Sequence, residues 1–135
     1  MSKFKQLIFI DDDNPTNVYH KIIVDQSELC EEAIFFDGAV EAYKYFEELV
    51  KQDNYILPDF IFLDINMPVM NGWDFIEAFK KLNIPNPLFI VLLTTSLSVR
   101  DKERADKIGL IHKFLNKPLG TENLVQLLEE SLVKS

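Results

Sequence analysis

Three consecutive aspartates, Asp11, Asp12 and Asp13, follow a short apolar run at residues 7–10, and a fourth, Asp64, closes a second run at 60–63. Two further runs end in other polar groups: Thr94, Thr95 and Ser96 follow residues 88–93, and Asn116, Lys117 and Pro118 follow residues 111–115. Clustered carboxylates repel, and each raises its neighbours' pKa unless a cation sits among them. Mg²⁺ meets that need, because it takes oxygen ligands, keeps several waters and is commonly held by one or two carboxylates together with phosphate oxygens. A carboxylate can also be the nucleophile, forming an acyl phosphate while a metal ion, a lysine and a hydroxyl stabilise charge on the phosphoryl oxygens. These residue types point to phosphoryl chemistry. A Ca²⁺ loop is a poor fit, since Pro15 falls at its third ligand position, Thr16 replaces the glycine and Ile22 stands where glutamate is required.

For these groups to meet, the apolar runs must be neighbouring strands. Short apolar runs alternate with stretches of helical spacing five times, which is an α/β pattern. The runs are continuous rather than alternating, so the strands are expected to be parallel and buried on both faces. In an open parallel sheet, ligands bind beyond the carboxyl ends of the strands, where all the polar groups above stand. Asn14 can cap a first helix with Pro15 in its first turn, and Val18, Ile22 and Ile23 give it an apolar side. Residues 33–36 form a second strand and 39–50 a second helix; Trp73, Phe75, Ile76, Phe79 and Leu82 mark a third. The fourth helix is expected to be short or mobile, because residues 100–107 are mostly charged and only Val99, Ala105 and Ile108 can anchor it. Thr121 caps a last helix carrying Leu124, Leu127, Leu128 and Leu132.

With 135 residues, 47% of them hydrophobic, the chain is expected to form one domain spanning residues 1–135. Fourteen basic residues against 22 acidic give a formal charge of −8, which argues against a direct nucleic-acid binder. The single cysteine, Cys30, cannot form an internal disulfide, and the start of the chain has no secretion signal. The longest uncharged stretch, 82–99, is broken by Asn83, Pro85, Asn86 and Pro87, so no segment can span a bilayer and the expected location is the cytoplasm.

Several segments, in order, resemble the receiver domain of two-component response regulators, similar to the single-domain chemotaxis regulators. They are Ile10-Asp11-Asp12, Phe36-Asp37-Gly38, residues 58–68 (PDFIFLDINMP), Met70-Asn71-Gly72, residues 92–96 (LLTTS) and Lys117-Pro118. The stretch 58–72 is the most specific. The resemblance implies a five-stranded parallel sheet in order 2-1-3-4-5, flanked by five helices. It implies that Asp64 accepts a phosphoryl group from a histidine kinase or histidine phosphotransfer protein, that Asp12 is the main Mg²⁺ carboxylate, and that Asp11 acts largely through water. The resemblance also implies that the backbone carbonyl of Asn66 is a further ligand and that Lys117 and Thr95 stabilise the phosphoryl group. It implies a switch made of Thr95 and Phe114, read by a downstream protein at a face of helix 4, strand 5 and helix 5, and a chain that is a monomer or a weak phosphorylation-dependent dimer. Asp13 is left as helix-dipole compensation or an outer partner of the site. The Lys117-Pro118 bond is expected to be cis, and no output domain is expected after it.

The chain departs from the family where small residues often precede strand five, for it reads Gly109-Leu110-Ile111-His112-Lys113. Leu97, two residues after Thr95, stands near the path of hydrolytic water and suggests slow self-dephosphorylation. His20 and His112 lack the companions of a transition-metal site. Three other functions compete. A haloacid-dehalogenase-type phosphatase requires Asp-x-Asp-x-Thr/Val after its first strand; Asp11 and Asp13 fit, but Pro15 takes the last position. A scaffold of receiver shape would lack a site residue, and none is missing. A flavodoxin relative would carry a Ser/Thr/Gly-rich phosphate loop after strand one, and none is present.

Overall fold

The computed structural model describes residues 4–84, 89–95, 98–117 and 119–134. The expectations for Leu88, Ser96, Leu97 and Pro118, including the cis bond and the water path, lie outside the described residues, as do the side chains of His112 and Leu132.

Ten elements alternate along the chain: β1 (Phe4–Ile10), α1 (Asn14–Ser27), β2 (Cys30–Phe36), α2 (Ala39–Leu49), β3 (Phe60–Asp64), α3 (Gly72–Lys80), β4 (Phe89–Thr94), α4 (Val99–Asp106), β5 (Ile111–Asn116) and α5 (Thr121–Lys134). The five strands form one sheet in order β2-β1-β3-β4-β5, and every pairing is parallel. β1, β3 and β4 lie inside the sheet, and residues 60–64 of β3 are all buried. Because side chains alternate across a strand, each continuous run feeds two cores. Ile8, Ile10, Ile61, Leu63, Ile90 and Leu92 pack with α2 and α3, while Leu7, Phe9, Phe60, Phe62, Val91 and Leu93 pack with α1 and α5.

Four expectations are corrected. The cap of α1 is Asp13 rather than Asn14: its carboxylate accepts from the Thr16 N–H and Thr16 Oγ1, and Asn14 is already helical. The buried face of α1 is Asn17, His20, Ile23 and Val24, whereas Val18 and Ile22 are about half exposed. In α4, Val99 is 75% exposed and anchors nothing. That helix buries only Ala105, and Arg104 lays its guanidinium over the ring of Trp73 on α3, 4.5 Å from the centroid. β2 also begins earlier than expected, at Cys30, because the exposed Glu31 and Glu32 lie on an edge strand and hide its start from an apolar pattern.

Candidate functional site

The register of the sheet brings the polar strand ends together. Ile10 of β1 lies beside Leu63 of β3, and Asp64 beside Leu93 of β4, so the residues that follow emerge at one edge. Asp11, Asp12 and Asp64 each offer a carboxylate oxygen within 4.8 Å of the others. Asp11 and Asp64 are buried and Asp12 is exposed. Lys117 reaches back from the end of β5, its own N–H bonded to the Thr94 carbonyl at 2.7 Å. Its ammonium lies 2.5 Å from Asp11 Oδ2 and 3.1 Å from Asp64 Oδ1.

The turn after β1 is held from several sides. Asp11 accepts from the Asp13 N–H at 2.9 Å through Oδ1, and its backbone carbonyl accepts from Asn17 Nδ2 at 2.9 Å. After β3, the chain turns back so that the Gly72 N–H donates to the Ile65 carbonyl at 2.8 Å. Asn71 and Asp74 cap α3 reciprocally, each side chain accepting from the other's backbone N–H. The first residue of α3 therefore rests on the main chain of Asp64 and Ile65. A Cβ at Gly72 would lie 2.7 Å from the Asp64 carbonyl oxygen and 2.9 Å from Ile65 Cα.

Burial is the main cause that pushes the Asp64 carboxyl up to about 6, and the charge of Asp11 adds to it, with Lys117 opposing. Burial disfavours charge on Lys117 too, but its hydrogen bond and attraction to Asp11, then to Asp64, leave its pKa above the ordinary value. Asp13 is held below the usual carboxylate range chiefly by the Thr16 hydroxyl. Behind the site, buried His20 packs on Phe9 at a ring separation of 5.1 Å, and neither ring nitrogen has a hydrogen-bond partner. Burial, aided by the charge of Lys117, pushes its pKa down to about 4.

Two opposed pH effects follow in metal-free protein. Asp64 has a folded pKa above its ordinary 3.8, so its contribution stabilises the fold as pH falls toward 4 and is lost as pH rises through about 6. His20 has a folded pKa below its ordinary 6.5, so its contribution is intact above that value and is lost as pH falls toward about 4. Between these limits the two slopes largely cancel. The His20→Leu protein should gain stability over wild type as pH falls, by up to about 1.4 kcal/mol per pH unit, and Asp64→Asn should lose by a similar slope. Urea unfolding of chelated samples across this range checks it; parallel curves for wild type and His20→Leu would refute the assignment.

The donor set suits a hard divalent cation: three carboxylates, with no thiolate or imidazole among them. The three oxygens lie close enough together for one such ion to be held by some of them directly and by others through water. Of the other expected residues, Thr95 is exposed at the end of β4 and lines a cleft with Lys117. Asn66 is exposed just after β3, and Phe114 is half-buried against the core beneath α3 and α4. Sequence reasoning missed Asn17, Gly72 as a packing contact and His20; only Gly72 lay inside a motif it had marked.

An acidic pocket closed by a lysine at the carboxyl edge of a 2-1-3-4-5 parallel sheet defines a receiver of two-component signalling. The family model described as the response regulator receiver domain matches residues 7–129, and the chain belongs to that family. A two-component response regulator from Cytophaga hutchinsonii superposes with a TM-score of 0.87 at 30% identity, covering 97% of this chain and 98% of that one. The chemotaxis protein CheY4 of Vibrio cholerae, at 23% identity and a TM-score of 0.75 over 94% of this chain and 98% of its own, shares the fold. Among curated relatives, a protein-glutamate methylesterase/protein-glutamine glutaminase of Methanococcoides burtonii is 28% identical over 120 residues, 84% of this chain and 34% of the relative. The chain thus spans about a third of that relative's length. Receiver domains bind Mg²⁺ at an acidic pocket and interact with histidine kinases or phosphotransfer proteins. No helix among the described residues is long and apolar enough to cross a membrane.

Proposed function

We propose that the chain is the phosphoacceptor of a phosphorelay, taking a phosphoryl group onto Asp64 from a histidine kinase or histidine phosphotransfer protein and passing the signal to a downstream protein. The observation that carries this reading is the buried Asp64 carboxylate, whose Oδ1 is 3.1 Å from the Lys117 ammonium, beside two further aspartates. Asp11, Asp12, Asp64 and the backbone carbonyl of Asn66 would hold Mg²⁺, Asp11 through water. The ion supplies neutralisation of charge on the phosphoryl oxygens. Asp64 attacks phosphorus, Lys117 turns from its carboxylates to a phosphoryl oxygen, and the Thr95 hydroxyl donates to another. Chemistry ends at the acyl phosphate and its hydrolysis, so the chain acts as a signalling domain and not as a turnover enzyme.

Movement of Thr95 toward the phosphoryl group leaves room for half-buried Phe114, and α4, β5 and α5 form the face that the target reads. On the input side, Pro15, Val18, Tyr19 and Ile22 are exposed at i, i+3, i+4 and i+7 along α1. A second apolar stripe, opposite the one in the core, suits a helical protein partner. Incubation with Mg²⁺ and acetyl phosphate should add one phosphoryl group per chain, labile to base and mapping to the peptide that carries Asp64. An adduct of equal yield on Asp64→Asn, or repeated turnover of a phosphate ester, would overturn the reading.

A further inference from the structure

We propose that the cleft between the start of α1 and Lys117 seats the imidazole ring of the phosphodonor, with Tyr19 and Pro15 as its wall, and so selects phosphohistidine over donors that lack a ring. This rests on the reading of Asp64 as phosphoacceptor. The cleft is open to solvent, has a volume of about 330 Å³ and is lined by Asp13, Pro15, Thr16, Tyr19, Thr95 and Lys117. That is near the lower end of the range for small-molecule sites, roughly 300–1,000 Å³, and suits a five-membered ring with its phosphoryl group. Lys117 joins the cleft to the acidic site, since the ammonium that lines one also contacts Asp64 at 3.1 Å in the other.

The lining matches the donor part by part. Lys117 and Thr95 offer a cation and a hydroxyl to the phosphoryl oxygens. Tyr19 is 41% exposed and lines the cleft, and its ring centroid lies 6.0 Å from that of buried His20 at a tilt of 48°. Aromatic rings at such separations prefer offset or tilted contact, which a planar imidazole satisfies. Asp13 adds a negative charge to the same cleft, matching the positive charge of an N-phosphorylated, N-protonated ring. In the transfer, an Asp64 oxygen forms a bond to phosphorus as the N–P bond breaks. The N–P electron pair stays on the ring nitrogen, and neutral imidazole leaves with the proton it already carried. Acetyl phosphate, with neither ring nor cation, gains nothing from Tyr19 or Asp13.

The test is the ratio of labelling rate constants from monophosphoimidazole and acetyl phosphate, with Mg²⁺, followed by intact mass. Tyr19→Ala should lower that ratio by about three- to tenfold, while Tyr19→Phe, which keeps the ring, should hold it within about twofold of wild type. Asp13→Asn retains a helix-capping side chain and should also lower the ratio. A Tyr19→Ala ratio equal to that of wild type, or equal slowing with both donors, would overturn the cleft assignment. Failure of wild type to label with either donor would instead remove the phosphoacceptor reading, and this inference with it.

Discussion

Replacement of Lys117 by methionine should cost the metal-free protein about 3 kcal/mol of stability at neutral pH while strengthening its hold on Mg²⁺. Lys117 is the cation that compensates Asp11 and Asp64, at 2.5 and 3.1 Å, and its side chain is only 10% exposed. Without it two buried carboxylates, with Asp12 beside them, face each other across a low-dielectric pocket. Protonation would relieve part of that repulsion, so the variant should regain stability as pH falls, and millimolar Mg²⁺ should restore it at neutral pH. The site's affinity for the ion should rise several-fold, because a competing positive charge has gone. Phosphorylation should nevertheless fall steeply, since the proposed function gives this ammonium to the phosphoryl oxygens. Calorimetric titration with Mg²⁺ and urea unfolding with and without the ion check both signs. Weaker Mg²⁺ binding in the variant would contradict this account.

Gly72→Ala should be nearly as damaging, although alanine is by about 1 kcal/mol the better helix former. The added Cβ would sit 2.7 Å from the Asp64 carbonyl oxygen and 2.9 Å from Ile65 Cα, and both are backbone atoms that cannot rotate aside. Overpacking of this kind costs about 1–3 kcal/mol, and a site that cannot yield lies toward the upper end. The strain must move either α3 or the end of β3. For the proposed function, displacement of Asp64 matters more than the lost stability, since misplacement by about 1 Å can cost 10²-fold in rate. Labelling by acetyl phosphate should therefore fall at least about tenfold even where the protein is fully folded. Gly109→Ala is the matched control: nothing lies within 4 Å of a Cβ there, and it should leave both readouts close to wild type. Equal behaviour of the two variants would show that the close approach at Gly72 is unimportant.

The sheet and the acidic cluster were legible because both are written in continuous stretches. Residues 60–64 are buried throughout, as an inner parallel strand requires, and the polar residues that follow each run fall at one edge by topology alone. Helix α1 was harder to read. Its two apolar stripes offered a choice of face, and the one with Val18 and Ile22 faces solvent, while Asn17 and His20 go inside. A hydrophobic pattern does not register a buried polar side chain whose purpose is a bond to the Asp11 carbonyl. Asp13 was misjudged for a related reason. With four candidate capping residues in succession, only the backbone geometry decides that Asp13, extended at φ −90° and ψ 106°, is the one outside the helix. The role of Gly72 depends on a contact between segments and was invisible in one dimension.

Helix α4 is fastened to the domain by one buried alanine and by the stacking of Arg104 on Trp73. A small buried side chain and a partly covered cation–π pair contribute on the order of 1–3 kcal/mol together. A gap of that size corresponds to a lifted arrangement of the helix in roughly 0.5–15% of molecules at rest. Under the function proposed above, a phosphoryl group at Asp64 would have little work to do, needing only to reweight such an equilibrium. Trp73 is the single tryptophan of the chain and follows directly on the glycine seated against Asp64. The same ring thus joins the end of β3 through its neighbour and α4 through its face, so a shift at either one reaches the other across a single residue.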